Sequence, residues 1–221
     1  MNNKTPLTVA YYSDVLCVWA WIAQRRVEEL NAEFEKRIEI KNLFVDIFGD
    51  VPSKMDSQWQ SKGGYSGFAR HVQQVAERFE EAPVHPDVWN VVRPNTSANA
   101  HMVCKAIELS YGPQQAADSA LWFRKAFFVE ALDISDLDVL CEVVKDHGLE
   151  PEGIQQRVRD GSAMAALMGD YQQARQQNIK CSPSFVIDGG RQALYGNVGY
   201  RVIQANVEEL LKQPEEEASW C

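Results

Sequence analysis

Apolar residues near the start of the chain follow first a strand-like and then a helical pattern. A short apolar run occupies 7–12, and apolar positions then recur at helical spacing from Val18 to Phe34. Alternation returns at 38–44, which is typical of a half-buried strand. This order predicts a β-α-β unit, in which two neighbouring strands run parallel and the helix covers one face.

From residue 46 to residue 179 the strand pattern gives way to helical segments separated by breaker residues. We predict six helices there, at 65–81, 97–110, 114–129, 137–147, 152–159 and 162–177. Side chains at 133–136 and Ser162 are expected to cap helix starts, whereas Gly148 and Asn178 can take the left-handed backbone after helix ends. The pattern at 51–64 is polar and leaves its structure open.

The last part of the chain returns to β-like runs at 184–188 and 193–195, which Gly189 and Gly190 separate. A helix is predicted at 200–212. Two antiparallel strands and a helix complete the order β-α-β…β-β-α, which is that of an α/β thioredoxin fold with a large all-helical insertion. We therefore predict a discontinuous thioredoxin-like domain at 1–45 and 180–214, an inserted helical domain at 46–179, and an acidic tail at 215–221.

Composition narrows the function classes. With 221 residues, 45% of them hydrophobic, the chain is long enough to bury a sizeable core. A net charge of −9 with no basic run argues against nucleic acid or an anionic membrane surface as partners. No segment looks like a secretory signal or a membrane span, and five widely spaced cysteines suit reduced thiols. We expect a cytoplasmic protein.

Cys17 is the candidate nucleophile because it lies where the first strand gives way to the first helix. Free N–H groups and the helix dipole at that end favour a thiolate over a thiol, and the thiolate is the reactive species. This placement predicts that Cys17 is the most reactive thiol of the chain. The alternative is a buried, inert cysteine, which is common for this residue type.

Two segments carry a family resemblance. The run from Cys17 to Ala23, C-V-W-A-W-I-A, resembles the C-P-W-C-Y-I-G active site of FrnE-like proteins, a cytoplasmic branch of the DsbA family. The run from Ser182 to Ile187 resembles the cis-proline segment of that branch. The resemblance implies a DsbA-like fold, thiol–disulfide exchange at Cys17, and a cis Pro183 beside it. Candidate substrate contacts are Trp19, Ala20, Ser182, Pro183 and Asn95, with core packing as the alternative for Trp19 and helix capping as the default for Asn95.

The active-site run departs from the family at two positions. Val18 replaces the usual proline, and Ala20 stands where the second, resolving cysteine would be. Since a two-cysteine site releases its substrate by attack of the second thiolate, a mixed disulfide on Cys17 needs another thiol. Glutathione, a protein thiol or Cys181 could supply it. Cys181 lies two residues before Pro183, and a bystander thiol on the rim is the alternative.

A second branch of the superfamily offers a different function. The run from Leu194 to Gly199 resembles the F-W-G-x-D-R segment of chromene-carboxylate isomerases and kappa-class glutathione transferases. In this chain Val198 and Gly199 replace the Asp and Arg of that segment. Three hypotheses remain: a single-cysteine thiol–disulfide oxidoreductase, which we favour, a glutathione-dependent transferase or isomerase, and a noncatalytic thiol- or peptide-binding relative.

We expect no bound cofactor, with glutathione as a candidate co-substrate and protein disulfides as candidate partners. A homodimer is a further candidate. His101 and Cys104 share one predicted helix face, but one such pair falls far short of a four-ligand metal site, so a structural role is favoured and no metal is expected.

Overall fold

Four strands form one mixed sheet in the computed structural model, which describes residues 5–212. β1 (Leu7–Ser13) pairs parallel with β2 (Ile38–Phe44) and antiparallel with β3 (Ser184–Ile187). β4 (Gln192–Tyr195) pairs antiparallel with β3, so the order across the sheet is β2-β1-β3-β4. This topology confirms the predicted thioredoxin fold. The acidic tail at 215–221 and Cys221 lie outside the described residues.

Helix α1 joins the two parallel strands, seven helices follow β2, and a last helix follows β4. Their bounds are α1 (Val18–Glu33), α2 (Val51–Lys54), α3 (Gly64–Ala76), α4 (Ala98–Tyr111), α5 (Pro113–Phe128), α6 (Leu137–Asp146), α7 (Pro151–Arg159), α8 (Ser162–Gln176) and α9 (Tyr200–Leu211). The segment left open by the sequence holds α2, a π-helical turn (Met55–Trp59) and a 3₁₀ turn (Gln60–Lys62). Within residues 5–212, no helix has the length and apolar character needed to cross a membrane.

The end of α3 and the cap of α8 differ from the sequence prediction. α3 ends at Ala76 rather than near residue 81, because the chain turns there and Phe79 N–H donates to the Ala76 carbonyl at 2.8 Å. α8 is not capped by the Ser162 side chain. Instead the Asp160 carboxylate accepts from the Ser162 N–H at 2.9 Å, and Gly161 at φ +82° occupies the cap position.

The other predicted caps are confirmed. Asp136 precedes α6, and its carboxylate accepts from the Asp138 N–H at 2.8 Å. Gly148 (φ +79°) and Asn178 (φ +56°) both take the left-handed backbone after a helix. These positions end α6 and α8 where the sequence pattern changes.

The core is arranged around the two faces of β1. Val9 and Tyr11 point to one face, where they pack in a cluster with residues of α1 and α9. Ala10 and Tyr12 point to the other face, toward Ala174 of α8. A larger cluster continues from the start of α1 into the helices between β2 and β3. The carboxyl end of β1 therefore lies between the sheet and the helical segment.

Candidate active site

The start of α1 places Cys17 at the carboxyl end of β1. Cys17 is the N-cap residue of α1, with an extended backbone, and its carbonyl accepts from the N–H groups of Ala20 and Trp21 at 3.0 Å each. The Cys17 N–H in turn donates to the Asp14 carbonyl at 3.1 Å. The tight turn that follows β1 thus fixes the thiol at the helix N-terminus, as the sequence predicted.

The thiol faces the segment that begins β3. Cys17 Sγ donates to the Ser182 carbonyl at 3.1 Å, and the Ser182–Pro183 peptide bond is cis, the isomer that the family resemblance implied. Ser182 is fixed from the other side as well, because its hydroxyl accepts from the Asp14 N–H at 2.9 Å. Cys17, Ser182 and Pro183 therefore meet across 165 residues of sequence.

Burial decides the protonation of the Cys17 thiol. The residue is only 6% exposed, and burial raises the pKa of the thiol above its ordinary value of 9.0. The contact with Ser182 and the N–H groups of Ala20 and Trp19 act in the opposite direction and do not outweigh burial. The sequence-based expectation of a favoured thiolate is therefore wrong for this resting structure, in which Cys17 is a protonated hydrogen-bond donor.

The residues that follow Cys17 differ in how deeply they are buried at the site. Ala20 is fully buried three residues along the helix, and its backbone N–H interacts with the Cys17 thiol. Trp19 is half-buried and meets Phe79 edge-on, with the ring centroids 6.4 Å apart. Trp21 is buried, and its indole N–H donates to the Pro83 carbonyl at 3.1 Å. Trp19 thus lies on the rim of the site, whereas Ala20 and Trp21 belong to its floor.

Two other candidate residues occupy exposed positions. Cys181 is a free, exposed cysteine one residue before the Ser182 carbonyl that Cys17 contacts. Asn95 is exposed, with backbone hydrogen bonds to Val51 and Ser135 and none to Cys17 or Ser182. A resolving role for Cys181 and a substrate contact for Asn95 both stay predictions.

A buried carboxylate behind Cys17 was not singled out as a site residue from the sequence. Asp14 is fully buried, and its carboxylate accepts from the N–H groups of Leu16 (2.9 Å) and Phe48 (2.8 Å) and from the Ser97 hydroxyl (2.9 Å). Burial raises the pKa of Asp14 from 3.8 to about 6, although these hydrogen bonds lower it. Asp14 therefore joins the turn before Cys17 to α4 and to the loop after β2.

His101 extends this network into the helical segment. Its Nε2 accepts from the Val15 N–H at 3.1 Å, so Nδ1 carries the proton and donates to the Tyr171 hydroxyl at 2.9 Å. Burial, and then the charge of Arg124, hold the pKa of His101 well below its ordinary value, which leaves the ring neutral. Its structural role agrees with the sequence analysis, and Cys104 is likewise fully buried.

Arg124 ties α5 to the same end of β1. Its side chain is 2% exposed, and its Nη atoms donate to the Ser13 hydroxyl at 2.7 Å and to Gln24 at 3.0 Å. Among residues 5–212, no carboxylate forms an ion pair with Arg124. Arg124 thus anchors β1 and α1 through neutral acceptors, and a positive charge lies buried near the site.

The segment that resembles the isomerase motif lies against α1. Arg26 Nη1 donates to the Asn197 side chain and, at 3.0 Å, to the Val198 carbonyl. The pKa of Arg26 is lowered by burial. A guanidinium from α1 therefore contacts the two residues that precede Gly199 in this segment. Within the described part of the chain, no three His, Cys, Asp or Glu residues are grouped to hold a metal ion.

Comparisons with known proteins agree with this architecture. Cytosolic disulfide reductase DsbM from Pseudomonas aeruginosa is 20% identical, with a TM-score of 0.68 over 93% of this chain and 99% of that one. A structure of 2-hydroxychromene-2-carboxylate isomerase is 17% identical, with a TM-score of 0.68 over 96% and 100%. The ClpXP adapter protein SpxH from Halalkalibacterium halodurans is 23% identical, over 95% of this chain and 69% of its own.

At these identities the solved structures support the fold alone. DsbM has also been solved with GSH, and that structure is 17% identical with a TM-score of 0.62 over 96% of this chain and 98% of that one. A family model for the DSBA-like thioredoxin domain matches residues 8–208, which is most of the sequence. The sheet order and the position of Cys17 before α1 agree with this match. The chain therefore belongs to the DSBA-like thioredoxin domain family.

Proposed function

We propose that this protein is a cytoplasmic thiol–disulfide oxidoreductase that uses Cys17 as its single active-site thiol and glutathione as its co-substrate. The observation that supports it most is the contact between Cys17 Sγ, at the start of α1, and the carbonyl of Ser182 beside the cis bond to Pro183. The similarity to a cytosolic disulfide reductase that has been solved with GSH supports the choice of co-substrate and compartment.

A single thiol is sufficient for this chemistry in two exchange steps. Cys17 sulfur attacks the glutathione sulfur of a mixed disulfide RS–SG, the S–S bond breaks, and the Cys17 proton passes to the leaving RS⁻, which gives RSH and Cys17–S–SG. A second glutathione then attacks Cys17–S–SG, which releases oxidised glutathione and restores the Cys17 thiol. The net reaction is RS–SG + GSH → RSH + GSSG, and no resolving cysteine is needed at Ala20.

We expect oxidised glutathione to form an adduct at Cys17 of the reduced protein, which peptide mapping distinguishes from any adduct at the exposed Cys181. The purified protein is incubated with oxidised glutathione, and the adduct is located by intact mass and peptide mapping. Turnover is then measured as reduction of a small mixed disulfide by glutathione. Cys17→Ser should lose the Cys17 adduct and the turnover, because Cys17 is the thiol that lies at the start of α1 and contacts the Ser182 carbonyl.

Cys181→Ser is the matched control for this experiment, since it removes an exposed thiol next to the site without touching Cys17. If glutathione resolves the adduct, Cys181→Ser releases it at the wild-type rate. A lasting adduct in Cys181→Ser would instead assign the resolving step to Cys181. An adduct at Cys104 or Cys141 with none at Cys17, or unchanged turnover in Cys17→Ser, would contradict the proposed function.

We expect the reaction of Cys17 with iodoacetamide to accelerate with pH to beyond pH 9, because burial holds the thiol pKa above that value and the thiolate reacts. At pH 7, Cys181 should be labelled before Cys17, since it is exposed and Cys17 is buried. Timed labelling and peptide mapping between pH 7 and pH 10 measure both rates in one sample. A Cys17 rate that levels off below pH 8 would show that the thiol ionises more easily than its burial implies.

A noncatalytic binding protein is the second candidate, and the low exposure of Cys17 favours it. At 6% exposure and with no neighbouring thiol at Ala20, Cys17 is poorly placed to meet a disulfide without movement of the rim. The similarity to an adapter protein points in the same direction. This candidate predicts that Cys17→Ser leaves partner binding intact and that wild type shows no turnover with glutathione, so the experiment above separates the two.

A further inference from the structure

The outer edge of β2 is only partly covered. Even-numbered residues of β2 direct their backbone N–H and C=O away from β1, since Ile38 N–H donates to the Phe34 carbonyl at 3.2 Å and Phe44 N–H donates to Asp170 at 3.1 Å. The odd-numbered Val45 N–H, just past the strand, points to β1 and donates to Ser13. Both ends of the outer edge are therefore hydrogen-bonded within the chain.

Ile40 and Asn42 lie between these two ends. Their backbone N–H and C=O groups also point away from β1, because the backbone groups of successive residues in a strand point to opposite sides. Among residues 5–212, no hydrogen bond is made by either backbone N–H on that side. The two residues line an open groove of about 500 Å³, whose opposite wall is the start of α5 at Pro113 and Gln114. An uncovered strand edge of this kind is a template for another strand.

The charges along this edge fit a second copy of the chain. Glu39 and Lys41 flank Ile40, and both are more than half exposed. If two β2 strands pair antiparallel about a two-fold axis at Ile40, Glu39 of each copy lies opposite Lys41 of the other. These are non-hydrogen-bonded pairs, in which facing side chains are closest. The sequence Glu-Ile-Lys is thus complementary to itself in this register.

The neighbouring registers are less favourable. An axis at Lys41 would place the two Lys41 side chains opposite each other, and like charges directly opposite are destabilising. An axis at Asn42 would place Lys41 opposite Leu43 and leave Glu39 outside the paired region. Charge therefore selects the register that is centred on Ile40, in which the two Ile40 residues exchange a pair of backbone hydrogen bonds.

Exposed apolar side chains border the same groove. The corner between α4 and α5, next to the groove residues Glu108 and Pro113, exposes Leu109 (45%) and Tyr111 (44%). In a two-fold dimer the same surface of each copy is used, so a partner seated along this groove covers apolar surface at the corner of each copy. We propose that the outer edge of β2 is a homodimer interface, in which two four-stranded sheets join antiparallel at Ile40.

The proposal is tested by charge reversal in the full-length protein, followed by sedimentation across the micromolar range. Wild type should sediment as a dimer. Glu39→Lys places like charges opposite each other at both symmetric pairs, so the dimer dissociation constant should rise by roughly tenfold or more. Its fold should be unaffected, because the Glu39–Lys41 contact of 3.6 Å is an exposed pair that adds little stability.

The double variant Glu39→Lys/Lys41→Glu restores opposite charges at both pairs and should restore the dimer. Glu152→Lys is the matched control, since it makes the same charge change at an exposed position on α7. A wild type that is monomeric throughout the range would overturn the proposal. It would also be overturned if Glu39→Lys dimerised as well as wild type, or if the double variant failed to regain the dimer. None of these outcomes depends on activity at Cys17.

Discussion

Ala20→Cys is expected to convert the single-thiol site into a dithiol site. Cys17 is the N-cap of α1 and Ala20 lies three residues later, a spacing at which side chains at a helix start meet. Ala20 is fully buried and its backbone N–H interacts with the Cys17 thiol, so the introduced sulfur would be held next to Cys17. A mixed disulfide on Cys17 would then be resolved within the molecule, and its release should accelerate by roughly 10²-fold or more.

Stopped incubation with oxidised glutathione measures this change by mass. Wild type should retain the glutathione adduct, whereas Ala20→Cys should lose it and form an internal disulfide, with loss of two hydrogens. Ala23→Cys is the matched control, because Ala23 is equally buried but lies about 9 Å along α1 from Cys17, too far for a disulfide. An adduct that persists equally in wild type and Ala20→Cys would rule out the proposed geometry of the pair.

The fold was predictable where the sequence pattern reports burial directly. Alternation at 38–44 predicted β2 with its observed bounds, because one face of that strand packs on α1 and the other is partly exposed. The pattern failed at the end of α3. Apolar residues continue to Phe79 and Ala82, and both are needed to pack beside Trp19 and the core, but the backbone has already left the helix at Ala76. Hydrophobic periodicity indicates which residues are buried, but it does not show whether their backbone is helical.

The site was predictable only as far as local sequence determines it. The position of Cys17 at a helix start follows from β1 and α1, and the family resemblance placed Pro183 beside it. The partners of Asp14 could not be found in this way, since Ser97 is 83 residues away in sequence. The same limit explains the wrong expectation for the thiol: the helix N-terminus is a local feature, but the burial that raises the Cys17 pKa comes from the packed fold.

Asp14 is expected to make the stability of the protein depend on pH between about pH 4 and pH 6. Burial raises its pKa in the folded state from 3.8 to about 6, so in this interval the folded protein holds a proton that the unfolded chain has lost. The free energy of unfolding should therefore fall as the pH rises, by about 3 kcal/mol in total, and stay level above pH 6 as far as Asp14 is concerned.

Asp14→Asn tests this expectation because the amide keeps the shape of the carboxyl group and does not titrate. The variant loses one acceptor for the N–H groups of Leu16 and Phe48 or the Ser97 hydroxyl, which costs a pH-independent amount of about 1–3 kcal/mol. Urea unfolding at pH 4, 5, 6 and 7 gives the free energy of both proteins. The difference between them should shift in favour of Asp14→Asn as the pH rises.

Other buried carboxylates, such as Asp170, titrate in both proteins and cancel in this difference. Asp56→Asn is the matched control, since Asp56 is exposed and the same change there should leave the pH dependence of wild type intact. Parallel curves for wild type and Asp14→Asn would show that the carboxyl group behind Cys17 ionises as readily in the folded protein as in the unfolded chain. In that case its three hydrogen bonds, rather than its burial, would set its charge.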